Sequence, residues 1–273
     1  MMQPRLRRVW IIGARGFLGA ALHRLLPHAL GFDPSGSCSS SEGAYIPACV
    51  QAPGAISRAM QEFGAPCLVY FCAASHGGDA EAYRRAYAEP VSAVAAAVPK
   101  ARLVLCSSTA VYEGHGTVTE DSPTPGSTEK LRVLLAAERA ALAAGGVVAR
   151  LAPLYGPGRC ELLRRHLAGE PQLPGAPDRM LNYLHVASAA RALYLLGATE
   201  HLPHRVFNVC DESFTKAQVY ALLAELTGVP VARAVSPALR RGISDHRVLA
   251  ERLSELGDFP RRSFAHFVRE SLA

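Results

Sequence analysis

The chain of 273 residues is 49% hydrophobic and 19% charged, a composition that offsets the entropy of folding and excludes a disordered protein. Its formal charge of +6 rests on arginines scattered in pairs (Arg7-Arg8, Arg84-Arg85, Arg164-Arg165, Arg240-Arg241, Arg261-Arg262) without zinc-finger spacing, basic zipper or aromatic RNA-binding motif, so an anionic small molecule is favoured over nucleic acid. Seven cysteines without a C-x-x-C pair or a Cys/His cluster exclude a metal centre, and no apolar run reaches the length of a membrane span or a signal core, which together point to a soluble cytoplasmic protein with reduced thiols.

In chain order, residues 9–12 (VWII) form a β-branched and aromatic run closed by glycine, the pattern of a buried parallel strand feeding a tight turn. The turn GARGFLG opens a helix predicted over 17–26, and 29–32 form a weaker strand that delivers Asp33. The Ser- and Gly-rich stretch 34–43 reads as a loop. A helix over 56–63 leads to a buried strand over 67–72 (CLVYFC), closed by Ala73, Ala74 and Ser75. One long helix is predicted over 81–98 despite Pro90, followed by a strand over 102–106. A polar loop, 114–125, precedes a strongly helical 129–144 and a strand, 147–151, that runs into LYGPGR. Residues 169–178 shift to Pro and Gly and mark a crossover. Beyond it, 188–196 read as helix, 206–209 as strand and 215–226 as a helix stopped by Gly228. Short apolar strands alternating with amphipathic helices define an α/β chain built on a doubly wound parallel sheet.

The first candidate site is the turn itself. Gly13, Gly16 and Gly19 lie between a predicted strand and a predicted helix. In that context one glycine permits the turn, one lets backbone approach a pyrophosphate, and one lets helix and strand pack closely. The free N–H groups of the helix start then face the phosphates. Asp33, twenty positions after Gly13 at the end of the second strand, is placed to accept hydrogen bonds from ribose hydroxyls. Its charge repels a 2′-phosphate and favours NAD, while the guanidinium of Arg15 leaves NADP possible.

With these residues, the chain resembles the extended short-chain dehydrogenase/reductase superfamily, the NAD-dependent epimerase/dehydratase group. Five further segments carry the resemblance: FCAAS (71–75), SSTAVYEG (107–114), RLAPLYGPGR (150–159), NYLHVASAARAL (182–193) and VFNVCD (206–211). The resemblance implies a Rossmann-type domain over 1–155, to which 182–211 return. It also implies a small C-terminal substrate lobe over 156–273, mainly 156–181 and 212–273. That lobe is shorter than is usual for sugar-nucleotide enzymes of the superfamily, which weighs against a large UDP-sugar. The cofactor-contacting positions it implies are Gly13, Arg15, Gly16, Phe17, Leu18, Gly19, Asp33, Ala73, Ala74, Ser107 and Pro153. Ser75, Tyr155, Arg159 and Asn182 are the corresponding substrate positions. The helices 81–98 and 129–144 are the expected homodimer face.

The superfamily transfers protons with a Tyr-x-x-x-Lys pair. Here that helix aligns with KLRVLLAAE, anchored by Glu138, and places Lys130 where the tyrosine is expected and Leu134 where the lysine is expected. No other tyrosine is followed by lysine four residues on. Three readings stand side by side. The protein is an enzyme in which Ser108 holds the substrate oxygen while Lys130, Tyr112 or the substrate handles the proton. Alternatively, it binds the dinucleotide without turnover. In the third reading it carries out elimination, isomerisation or cyclisation without net hydride transfer. Lys130 is otherwise a solvated first-turn residue, and Ser108 otherwise caps backbone at a strand end. His115, His185 and the Arg164-Arg165-His166 group are softer candidates, as proton carrier, structural histidine and anion contact.

Overall fold

A computed structural model describes residues 8–33, 45–46, 49–75, 77–232, 245–257 and 261–273 of the chain. The expected loop over 34–43 lies outside them. The strands β1 (Val9–Ile12), β2 (Leu30–Phe32), β3 (Tyr45–Ile46), β4 (Leu68–Phe71), β5 (Arg102–Ser108), β7 (Val147–Leu151) and β10 (Val206–Val209) form a seven-stranded parallel sheet in the order β10-β7-β5-β4-β1-β2-β3. The order reverses between β1 and β4, and in sheets of this kind ligands bind at that switch, beyond the carboxyl ends of the strands.

Alternation along the strands builds two cores. Val9, Ile11, Tyr70, Val104 and Ala149 face one layer, closed by α1 (Phe17–Leu25) and α7 (Val186–Ala198). Trp10, Ile12, Val69, Leu103 and Val148 face the other, closed by α2 (Ala55–Phe63), α4 (Glu89–Ala97) and α5 (Glu129–Ala143). Burial on both faces explains why the strands read as continuous apolar runs rather than as alternating ones.

The long helix expected over 81–98 is divided. Asp79 caps α3 (Ala80–Tyr83) by accepting from the Ala82 N–H, a π-helical turn spans Arg84–Ala88, and α4 restarts with Pro90 in its first turn. Proline has no N–H to donate to the preceding turn, so the helix widens ahead of it and begins again.

The polar loop expected over 114–125 contains a strand, β6 (His115–Val118). It pairs in parallel with β12 (Asp245–Val248) from the far end of the chain. β9 (Met180–His185) departs from the expected return to the main sheet: it pairs with β8 (Leu154–Tyr155) and β11 (Glu212–Thr215). Only α7 and β10 of that segment join the large sheet. A third core holds the C-terminal lobe together, with Tyr155, Leu163, Tyr183, Tyr220, Phe264 and Phe267 contributed by β8, α6 (Glu161–Leu167), β9, α8 (Lys216–Thr227) and α10 (Phe264–Leu272). Among the described residues no helix is long and apolar enough to cross a membrane.

Candidate dinucleotide site and its supporting network

The β1–α1 turn has the form that its glycines require. Gly13 adopts φ +78°, and a Cβ there would lie 2.8 Å from the Ala73 nitrogen, so the end of β4 is pressed against the turn. A Cβ on Gly19 would collide with the Gly13 carbonyl oxygen, which sets how closely α1 approaches β1. Gly16 caps α1 with no side-chain hydrogen bond, leaving the first N–H groups of the helix open. Asp33 is 8% exposed, and its carboxylate accepts from the Arg15 backbone N–H at 3.1 Å, which fixes it beside the turn. The Arg15 side chain is exposed, its guanidinium 6.0 Å from the centre of the Tyr45 ring. These residues fit a dinucleotide: a glycine cradle that side chains would fill, open N–H donors and an oriented carboxylate.

Around it, the residues taken from the resemblance divide by what their atoms already hold. Ala73 and Ala74 follow β4 directly below the turn, and Phe17 is half-buried with Arg159 over its ring at 5.1 Å. Pro153 is exposed, and its carbonyl accepts from the Leu184 N–H. Leu18 is a core residue, 6% exposed. Ser75 is half-buried beside the Tyr87 phenol of the π-helical turn, whose pKa burial pushes up while the Ser75 N–H and hydroxyl pull it back down. Periodicity gives no signal for such a phenol, because it depends on the widened turn.

Three of the expected site residues are engaged by other parts of the chain. Tyr112 is 1% exposed, and its hydroxyl donates to Asn208 Oδ1 (2.8 Å) while accepting from Arg150 (2.9 Å). Burial pushes its pKa up against the pull of Arg150, and the phenol is held between Asn208 and Arg150. Tyr155 lies in the lobe core, its hydroxyl donating to the Arg262 carbonyl at 3.3 Å and its pKa raised by burial. Asn182 is consumed by strand assembly: it donates to the His246 carbonyl and accepts from Ser213 and the Val248 N–H.

Ser107 belongs to the same scaffold. Its hydroxyl donates to Glu138 at 2.5 Å, Glu138 is held by Arg150 at 2.7 Å, and Asn208 in turn donates its N–H to Glu120. All of these are at most 7% exposed, Asn208 and Tyr112 most deeply buried of all. The network ties β5, the turn after it, α5, β7 and β10 together. Glu138 and Arg150 were visible in the sequence as motif anchors, but their mutual contact was not.

Ser108 accepts from the Ala110 N–H, capping the 3-10 turn Thr109–Val111. Lys130 is exposed in the first turn of α5, its ammonium 5.8 Å from the centre of the Tyr83 ring, and Leu134 is buried at 2% exposure. His115 is exposed on β6 and pairs with Asp245 at 3.5 Å. Arg164 and Arg165 pair with Glu161 and Glu170, and His166 bonds Thr227, so the group is engaged within its own lobe.

His185 caps α7 through Nδ1, and the backbone N–H of His185 donates to Asp211. Burial raises the Asp211 pKa from 3.8 to about 6. Because its folded pKa lies above its unfolded one, stability is highest below about pH 4 for this group and is lost as pH rises through 6. Asp211→Asn, which keeps an acceptor for His185, therefore stabilises by up to about 3 kcal/mol at pH 7 and little at pH 4. Urea unfolding at the two pH values measures this, and a gain equal at both would show the carboxylate is not the cause.

The comparisons with known proteins agree with this architecture. The profile of the NAD dependent epimerase/dehydratase family matches residues 9–210, and the chain belongs to that family. Among curated proteins none matches the sequence. Among solved structures, the chain is similar to the Bordetella bronchiseptica enzyme WbmG in complex with NAD (23% identity, 100% of this chain and 94% of that one, TM-score 0.83). It is also similar to MoeE5 in complex with UDP-glucose and NAD (24% identity, 97% and 100% coverage, TM-score 0.81). UDP-glucuronic acid 4-epimerase from Bacillus cereus, solved with UDP-glucuronic acid and NAD, aligns over the same shares at 18% identity and TM-score 0.81. Both of these alignments, to proteins solved with a UDP-sugar, cover the whole of the other chain.

Proposed function

We propose that the chain binds NAD at the 13–19 turn and acts on a hydroxyl or carbonyl group of a nucleotide-linked sugar, with acid/base residues other than the usual Tyr/Lys pair. The observation that carries this reading is the intact turn, with Asp33 held in place by the Arg15 N–H. The nucleotide-sugar class is supported by the UDP-sugars bound to two of the similar structures. Bound NAD supplies reversible two-electron redox chemistry. The chain's own part is to orient and to move protons. The Ser108 oxygen accepts from backbone, so its O–H remains to donate to a substrate oxygen. Lys130, in the place of the tyrosine, is the proton-handling group of this reading.

A second reading, dinucleotide binding without turnover, is favoured by one observation: the lysine position holds a buried leucine, Leu134. Binding is tested first. NAD at about 100 times its dissociation constant adds roughly 2.7 kcal/mol of stability, which raises the melting temperature by roughly 5–10 °C in a chain of this size. No shift and no calorimetric heat would remove both readings. Turnover is then assayed with UDP-glucose and UDP-glucuronic acid in the presence of NAD, with products resolved by chromatography. Lys130→Met lowers that turnover by at least about 100-fold and leaves the thermal shift intact. Equal rates in the variant would take Lys130 out of the chemistry, and no turnover of either sugar would leave the binding reading standing.

A further inference from the structure

Of the cysteines the structure describes, Cys67 and Cys210 aim their thiols at backbone carbonyls. Cys72 and Cys106 instead meet each other, sulfur to sulfur, at 3.7 Å. The register explains why: Phe71 on β4 is level with Leu105 on β5, so the next residues on the two parallel strands stand side by side. Neighbouring strands lie about 4.8 Å apart, inside the Cα separation of about 4.4–6.8 Å that a disulfide spans. Both side chains are on the same face of the sheet, Cys106 buried in its core and Cys72 half-buried against it. Two small apolar side chains would pack there equally well. A dithiol adds chemistry that they lack.

Its position gives that chemistry a consequence. The Cys72 N–H donates to the Ile12 carbonyl, and the Cys72 carbonyl carbon lies 3.0 Å from where a Cβ on Gly13 would be. The glycine turn thus rests on the Cys72–Ala73 peptide. We propose that Cys72 and Cys106 form a redox-active dithiol, an oxidative modification site whose conversion to a disulfide weakens dinucleotide binding at the turn above it. The last clause rests on the function proposed above; the pairing of the thiols does not.

With hydrogen peroxide as oxidant the step is balanced. The Cys72 thiolate, the more open of the two, attacks one peroxide oxygen; the O–O bond breaks and the departing hydroxide is protonated to water, leaving a sulfenic acid on Cys72. The Cys106 sulfur then attacks the sulfenic sulfur, the S–S bond forms, the S–O bond breaks, and the second hydroxide leaves as water with the Cys106 proton. Two thiols lose two electrons in all. The sulfurs must close from 3.7 Å to about 2 Å, which draws the Cys72–Ala73 peptide sideways under Gly13. In a reducing compartment such a bond is transient, as expected of a sensor.

The test uses the full chain, reduced and then exposed to stoichiometric hydrogen peroxide. Remaining thiols are alkylated in denaturant and peptides are mapped by mass spectrometry. The expected result is a Cys72–Cys106 linked peptide, reversed by dithiothreitol. In the variant Cys106→Ala the reaction stops at a Cys72 sulfenic acid trapped by dimedone. Alkylation of both cysteines while other thiols oxidise would overturn the proposal. NAD calorimetry on the two forms reads the consequence: a tenfold or greater loss of affinity on oxidation supports it, and equal affinity overturns the coupling. If the reduced form binds no NAD, the function proposed above fails, and the peptide map still decides the pair.

Discussion

Arg150→Met destabilises the chain by about 3–5 kcal/mol, the loss that follows when a buried ion pair keeps one charge and loses the other. Glu138 is 3% exposed and has Arg150 at 2.7 Å with Ser107 as its second contact. Removing the guanidinium leaves the carboxylate with a single hydroxyl, and it strips the Tyr112 oxygen of its donor. Equilibrium unfolding in urea measures the loss. Glu138→Leu in the same chain removes the stranded charge, so the double variant is more stable than Arg150→Met alone. A loss below about 1 kcal/mol for Arg150→Met, or a double variant that is the least stable of the set, would show that the pair is solvated and does not support the site.

This network also marks where sequence reading stops. The glycine turn was legible because each of its requirements is local: a β-branched run, small residues at fixed offsets, and an acidic residue at the next strand end. The strands of the large sheet were legible for the same reason, since burial on both faces makes them apolar throughout. The contacts that Tyr112 and Asn182 make within the chain could not be read from the sequence. Their hydrogen-bond partners include Asn208 and the β12 backbone, 96 and 64 or more residues away in the chain. β6 and β12 were invisible, because HGTV and DHRV have no apolar period and are held as strands by pairing with each other. The broken helix over 81–98 shows the opposite limit: Pro90 announced a defect but could not say that a π-helical turn would turn Tyr87 toward Ser75.

Of the three glycines, Gly16 is the one that the fold constrains least. Gly13 needs its positive φ, and Gly19 has no room for a Cβ. Gly16 has φ −65° and ψ 165°, a conformation open to any residue, and a Cβ there would meet only the Gly13 oxygen, at 3.2 Å. That contact is tight but relieved by a shift of a few tenths of an ångström, and in the function proposed above a pyrophosphate resting on the start of α1 adds a stronger demand for the bare backbone. Gly16→Val accordingly separates folding from binding. The variant loses no more than about 1 kcal/mol, the cost of a poorer N-cap. It also binds NAD at least about 100-fold more weakly, a difference of roughly 2.7 kcal/mol. Calorimetry with NAD and urea unfolding, run on the same preparation, read the two effects. Wild-type affinity in Gly16→Val would place the dinucleotide elsewhere, and a collapse of stability would return Gly16 to the fold.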